Sequence, residues 1–360
     1  LDKNLNWKLV LNPDLSFPEA YMDGKIIIEN GSLSEFLNLI FKNIGRQEIT
    51  TSGYLFKQIL QIWRYLSNYN FPLKSRKDIQ HHYDVGGEKG EKLYDIFLDE
   101  KHRQYSCAYW KNNSETLEQA QQNKLNHIIT KLNIKPGQKV LDIGCGWGGM
   151  TFEIARQKNC EVVGISLSKN QINYCKKKAK ELNLDNQVKF ELADYREFRG
   201  NFDRIVSVGM FEHVGIRYFN TFLKKTYNLL NEKGVFLLHT IGQRGKPTAT
   251  SPWIRKYIFP GGYIPSLSDI IIETQKLNIN ITDIEILRMH YAHTLSHWYK
   301  NIQQHKNEIV QMFDKRFYRM WEFYLLASKY SFVNMGNIVF QIQIAKNINN
   351  LPLTRNYMYN

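Results

Sequence analysis

Cysteine is scarce in this chain, with four residues at 107, 145, 160 and 175, no CxxC pair and no zinc-type spacing with histidine. That pattern excludes a disulfide scaffold and a structural zinc site, and it leads us to expect free thiols in a reducing cytosol. Long apolar runs are missing too: none reaches the roughly 18 residues that span a bilayer. The opening LDKNLNWKLV is not a signal peptide, so any membrane contact is expected to be peripheral. Because the first residue is Leu rather than Met, a few native residues are expected to precede it. Internal repeats and low-complexity tracts are absent as well.

Acidic residues are in deficit, 34 against 48 basic ones, giving a net charge of +14. Such a surplus attracts polyanions, either nucleic acid or an anionic membrane face. No nucleic-acid-binding motif accompanies it, which favours bulk lipid. Hydrophobic residues make up 43% of the chain, enough for a full core in 360 residues, and the length suits one large domain plus a smaller one.

The segment from residue 1 to about 75 reads as a small leading domain. Asp23-Gly24 signals a turn into a strand over 26–29. Ser32 and Glu35 have capping-box spacing ahead of a helix that Gly45 can stop, and a second amphipathic helix is expected over 54–66. Residues 71–77 have linker character. Beyond them come a helix, an irregular aromatic stretch and a helix over about 115–132.

After Pro136-Gly137 a strand–helix rhythm sets in, with strands expected at 139–143, 161–165, 188–192, 203–208 and 235–240, and two more at 281–291 and 337–345. Ser168 and Gln171 form a predicted capping box for the helix over 168–182, and further helices are expected around 294–330. The rhythm predicts an α/β fold with a parallel, doubly wound, Rossmann-like sheet of seven strands, behind a small N-terminal mixed or helical domain.

The most informative stretch is VLDIGCGWGGM at 140–150, where an apolar run carrying Asp142 meets glycines at 144, 146, 148 and 149. Glycines let the backbone turn sharply and let a ligand approach closely, so a nucleotide-like cofactor is expected at the carboxyl edge of the sheet. A pyridine nucleotide fits poorly: the second strand ends in Gly164-Ile165-Ser166-Leu167-Ser168, without the acid that such a site places on the ribose. S-adenosylmethionine has no pyrophosphate and needs close backbone approach plus a few polar groups. Asp194, after the third strand, is positioned to accept from the adenine amino group; the alternative is a loop cap.

Eight segments together carry a family resemblance: HHYDVG at 81–86, QYSCAYW at 104–110, LDIGCGWGG at 141–149, VVGISLSKNQ at 162–171, FDRIVSVGMFEHVG at 202–215, FLLHTIG at 236–242, PWIRKYIFPGGYIPS at 252–266 and HYAHTLSHWY at 290–299. Their order resembles the cyclopropane fatty acid synthase family of S-adenosylmethionine-dependent methyltransferases, whose sheet has seven strands. The leading NPDLSFPEAYMDG is similar to the N-terminal domain of the phospholipid-acting members.

The resemblance implies transfer of a methylene group to the cis double bond of unsaturated phospholipid acyl chains, through a carbocation deprotonated by bound bicarbonate. It implies an anion cradle of Cys107, Glu212, His239, the backbone N–H of Ile241, and Tyr291. For the cofactor it assigns Tyr105 and Ser106, Asp142, Gly144 and Gly146, Ser166 and Leu167 through Gln171, and Asp194-Tyr195. Gln171 stands either for the missing ribose acid or only as a capping partner. The domains implied are a lipid- or membrane-associated unit over 1–75 and a catalytic unit over 76–360. The implied setting is cytoplasmic, on the inner face of the membrane, with a homodimer suggested by the family, and no metal or nucleic acid.

Where many members carry a late-helix cysteine, this chain has Ser328, which argues against thiol chemistry there. Basic and aromatic residues mixed over 243–265 suit a phospholipid at a site mouth, or an ordinary solvated lid. Three rivals stay open: a methyltransferase making methyl- or methylene-branched chains or methylating an amine, a lipid-binding protein without catalysis, and, least favoured, an NAD-dependent oxidoreductase.

Overall fold

The computed structural model describes residues 3–46, 88–248 and 250–359. The helix expected over 54–66, the linker at 71–77, the 75/76 domain boundary and the HHYDVG segment lie outside the described residues.

Three helices lead the chain: α1 (Lys3–Leu11), α2 (Pro13–Met22) and α3 (Leu33–Arg46). Next come α4 (Glu88–Phe97) and α5 (Leu117–Lys131). The alternating part follows as β1 (Lys139–Ile143), α6 (Gly149–Lys158), β2 (Glu161–Ser166), α7 (Lys169–Glu181), β3 (Val188–Leu192), β4 (Phe202–Val208), α8 (Phe219–Leu229) and β5 (Leu230–Gln243). It closes with α9 (Pro252–Tyr257), α10 (Leu267–Lys276), β6 (Asn280–Leu287), α11 (His290–Gln304), α12 (Lys306–Met312), α13 (Lys315–Tyr330) and β7 (Asn337–Ala345).

All seven strands form one sheet in the order β3-β2-β1-β4-β5-β7-β6. The doubly wound seven-stranded sheet is as expected, and its parallel strands are joined by one of the other direction: β7 runs antiparallel to both β5 and β6. The reason is the connection between β6 and β7. Helices α11 and α13 pack on α2, α3 and α4 instead of crossing a sheet face, so the chain re-enters the sheet from the edge at which it left.

Alternation along β1 sorts the core. Val140 points to a layer holding Leu125, Ile128, Ile154 and Ile172, while Leu141 and Ile143 point to a layer with Phe222, Leu223, Phe236 and Ile270. Both faces of β1 are thus buried, as double winding requires. A third cluster of aromatic and aliphatic residues, including Phe97, Cys107, Trp253, Tyr291, Trp298 and Tyr324, covers the sheet's carboxyl edge.

The N-terminal helices dock on this third cluster. Tyr21 donates to Glu322 at 2.6 Å, Arg316 pairs with Asp23 at 2.8 Å, and Trp253 Nε1 meets Met22 Sδ at 3.2 Å. Asp23-Gly24 does turn, with Gly24 at φ +72°, but residues 25–29 continue without helix or strand. Among the described residues no strand lies beside it to complete a ladder. The Ser32–Glu35 capping box is present: Ser32 N–H donates to Glu35 at 2.8 Å and Glu35 N–H to Ser32 Oγ at 3.2 Å. Its helix runs past Gly45 to Arg46.

Other boundaries shifted. Thr116 and Gln119 close a capping box that starts α5 at Leu117. β5 is longer than expected because it begins directly at the end of α8. β6 is shorter, ending at Leu287, since the apolar spacing of Tyr291, Leu295 and Trp298 is helical and α11 begins at His290.

Candidate active site

At the carboxyl ends of β1, β2 and β4 the glycine turn opens a cavity. Its lining includes Tyr105, Ser106, Asp142, Gly144, Gly146, Ser166, Leu167, Gln171 and Tyr195, nine of the ten residues expected for the cofactor. Gly144 has φ +81°, a conformation that side chains resist, and a Cβ there would sit 2.8 Å from the Cβ of Met210. Below the turn, Asp142 accepts the Thr151 hydroxyl at 2.8 Å, and burial pushes its carboxyl up to about 6.

Asp194 is the tenth residue and does not line the cavity. Arg196 grips it with Nε at 2.9 Å from Oδ1 and Nη2 at 2.5 Å from Oδ2, and Arg196 faces the cavity together with Tyr195. Gln171 also departs from expectation. Ser168 Oγ accepts the Gln171 N–H at 3.3 Å, but the Gln171 side chain does not return to close the box. Its Oε1 instead accepts the Ser166 hydroxyl at 2.8 Å, and Ser166 Oγ accepts the N–H of Ser168 at 3.1 Å. Ser166 therefore replaces Gln171 as the partner of the Ser168 amide, leaving the Gln171 side chain on the cavity wall.

Among the lining residues that sequence reasoning missed, four carry charge or a ring: Arg103, Trp147, Arg196 and His213. Arg103 has φ +47° and lays its guanidinium over Trp147 at 4.4 Å and Tyr174 at 4.7 Å, while pairing with Asp95 at 2.5 Å. It fastens α4 and α7 to the glycine turn. His213 is half-buried on the cavity wall, and its desolvation drives its pKa down to about 4 and keeps it neutral. Adjacency was the available signal: Trp147 lies inside the glycine motif and His213 follows Glu212.

Two of the residues expected for the anion cradle, Cys107 and Glu212, are buried and follow or precede in sequence Ser106 and His213, which line this cavity. Glu212 Oε1 accepts the N–H of Ile241 at 2.6 Å, so that N–H faces the carboxylate. Glu212 Oε2 is buried without a partner among the described residues. Burial raises its carboxyl to about 7. His239 stands two residues before Ile241 on β5 and so on the same strand face, directly across from Gln341 of β7. Its Nδ1 lies 3.2 Å from Gln341 Nε2. Burial first, then the positive field of Lys124 and Lys131, holds His239 well below the usual range and hence neutral.

Tyr291 packs against Trp298 and Phe332, and Cys107 and Tyr291 share the apolar cluster against which Ile241 packs. The Cys107 thiol donates to the Ala108 carbonyl at 3.2 Å and is pushed upward by burial, so it is an unreactive thiol.

A seven-stranded sheet with antiparallel β7, carrying a glycine-turn cavity at its carboxyl edge, is the fold of the S-adenosylmethionine-dependent methyltransferases. The family model of mycolic acid cyclopropane synthetase matches residues 72–342, and the chain belongs to that family. It is 35% identical over 339 residues to the cyclopropane-fatty-acyl-phospholipid synthase of Escherichia coli, covering 93% of this chain and 84% of that protein. Among solved structures, the mycolic acid cyclopropane synthase CmaA1 complexed with SAH and CTAB is similar at TM-score 0.70 and 30% identity, over 78% of this chain and all of that one. A coclaurine N-methyltransferase matches at TM-score 0.71 over 91% of this chain and 98% of that one, but at 19% identity it speaks for the fold alone.

Proposed function

We propose that the protein is a cyclopropane-fatty-acyl-phospholipid synthase acting on cis-unsaturated acyl chains. The π electrons of the double bond attack the sulfonium methyl, and the sulfur–methyl bond breaks to leave neutral S-adenosylhomocysteine. A carbocation remains on the other alkene carbon, and loss of a proton from the added methyl closes the three-membered ring.

The observation that carries this reading is the buried Glu212 oxygen that has no partner among the described residues, on a carboxyl bonded to the N–H of Ile241, two residues after His239 on β5. Amine methylation has no need of a buried proton acceptor for a methyl hydrogen. Glu212, His239, Ile241, Tyr291 and Cys107 would hold bicarbonate, which when bound supplies the base for that hydrogen. The fit is supported by the chemistry of the set. Glu212 Oε2 is an acceptor without a partner among the described residues, and a tyrosine hydroxyl such as that of Tyr291 is a donor by its chemistry. When Gln341 donates to His239 Nδ1, the imidazole proton sits on Nε2 and His239 also serves as a donor. Rings of Phe259, Trp298 and Tyr291 pack in a chain behind Tyr105 on the cavity wall, an aromatic wall that would favour a cation and keep water out.

Peripheral attachment to the inner face of the membrane belongs to the same proposal. No helix among the described residues is long and apolar enough to cross a bilayer. On α1, Trp7, Val10 and Leu11 are 69%, 73% and 80% exposed, beside the exposed Lys8, a pattern suited to an anionic lipid surface.

The test is incubation with labelled S-adenosylmethionine and unsaturated phospholipid vesicles, followed by mass analysis of the acyl chains. A formal gain of CH2 with loss of the double bond is expected. Label found only on amines would overturn the reading.

A further inference from the structure

Helix α5 turns a polar face toward residues 104–106. Gln121 donates from Nε2 to the carbonyls of Ser106 at 3.0 Å and Gln104 at 3.4 Å. One turn on, the wholly buried Lys124 donates from Nζ to Oε1 of Gln104 and, at 3.0 Å, to Oγ of Ser106. The i, i+3 spacing places both on one face, so Gln121 holds the backbone of the segment and Lys124 its side chains. Gln104 and Ser106 both line the cofactor cavity.

A buried ammonium is unfavourable unless a negative charge compensates it. Both hydrogen-bond partners of Lys124 are neutral. Two carboxylates favour the ammonium through their fields, but neither hydrogen-bonds to it: Asp99 accepts the amides of His102 at 2.8 Å and Gln104 at 2.7 Å, and Asp142 accepts the Thr151 hydroxyl. Burial lowers the Lys124 pKa to about 8, which leaves it mostly charged at neutral pH. S-adenosylmethionine brings an α-carboxylate of its own.

We propose that Lys124 is a positioning residue for the carboxylate of the cofactor, acting through Ser106. Because the ammonium donates to Ser106 Oγ, that hydroxyl keeps its own proton to donate into the cavity, and the charge behind it strengthens the donor. The inference rests on Ser106 facing the cofactor.

Calorimetric binding of S-adenosylhomocysteine and of its decarboxylated analogue to the full chain tests it. Wild type is expected to prefer the carboxylate form by about tenfold to a hundredfold, the range of a charge-assisted hydrogen bond. Lys124→Met should lose most of that preference by weakening the carboxylate form alone, and Ser106→Ala should do the same without adding to it in the double variant. Equal weakening of both ligands would reduce Lys124 to a structural role and overturn the proposal, as would an unchanged preference. If Lys124→Met fails to fold, Lys124→Gln, which keeps an N–H for Ser106 without the charge, is read the same way. A wild type with no preference would instead overturn the placement of the carboxylate at Ser106.

Discussion

Glu212 and Ile241 are joined by a 2.6 Å hydrogen bond from backbone N–H to Oε1, and the other carboxyl oxygen has no partner among the described residues. The bond ties the turn after β4 to the end of β5, so the Glu212 carboxyl is fixed by the sheet itself. Its raised pKa has a consequence for stability. A carboxyl held at about 7 when folded and near 4.5 when unfolded binds its proton more tightly in the native state. Stability from this group is therefore complete below the unfolded value and is lost as pH rises through about 7. Glu212→Gln, which keeps the acceptor for Ile241, should match wild type at low pH and become more stable above neutrality by up to about 3 kcal/mol. Urea unfolding across this range checks it; a difference independent of pH would mean that Glu212 titrates normally.

Turnover should respond in the opposite sense to stability. Glu212→Gln and His239→Ala are each expected to lower kcat by about a hundredfold or more, the range for loss of a positioned proton-transfer group. S-adenosylhomocysteine should still bind to both variants, because neither residue lines the cofactor cavity. Lost cofactor affinity would show that the two sites are not divided as the geometry divides them.

Much of this was legible in the sequence because it is local. The strands at 139–143, 161–166, 188–192 and 202–208 follow from apolar runs between helical periods, and the nine lining residues fall within short motifs. What was illegible depends on contacts across the fold. The 26–29 segment has the residues of a strand but no strand to pair with among the described residues. Lys124, in LEQAQQNKLNH, reads as a solvated helix position, and only the packing of α5 against residues 104–106 reveals it as buried. The direction of β7 is set by where α11 and α13 find apolar partners. Asp194 was read from its place after β3, and Arg196, two residues on, could not be seen to occupy both of its oxygens.

Gly144 supports a sharper test of the cofactor turn. Alanine there meets two penalties, a left-handed backbone at φ +81° and a Cβ 2.8 Å from Met210. The first costs about 1–2 kcal/mol. The second must move Met210, which lines the cavity. Gly144→Ala should thus lose cofactor affinity by more than its loss of stability accounts for, read by calorimetry beside thermal unfolding. Gly137, also at positive φ but with open space around its Cβ, is the control: Gly137→Ala should lose stability and leave affinity unchanged.

The exposed face of α1 separates membrane attachment from catalysis. Trp7 and Leu11 are one turn apart on the same helix face, with Val10 between them and Lys8 beside them. Burying such side chains in the headgroup boundary favours binding by about 1.5–3 kcal/mol each when complete, and less for partial insertion. The pair Trp7→Ser and Leu11→Ser should therefore weaken co-sedimentation with anionic unsaturated vesicles by about tenfold to a hundredfold. Apparent KM on vesicles should rise in parallel. Turnover of detergent-dispersed lipid should hold, because α1 lies away from the cavity lining. Co-sedimentation equal to wild type would return this face to ordinary solvent exposure and leave the positive charge of the chain as the source of any membrane affinity.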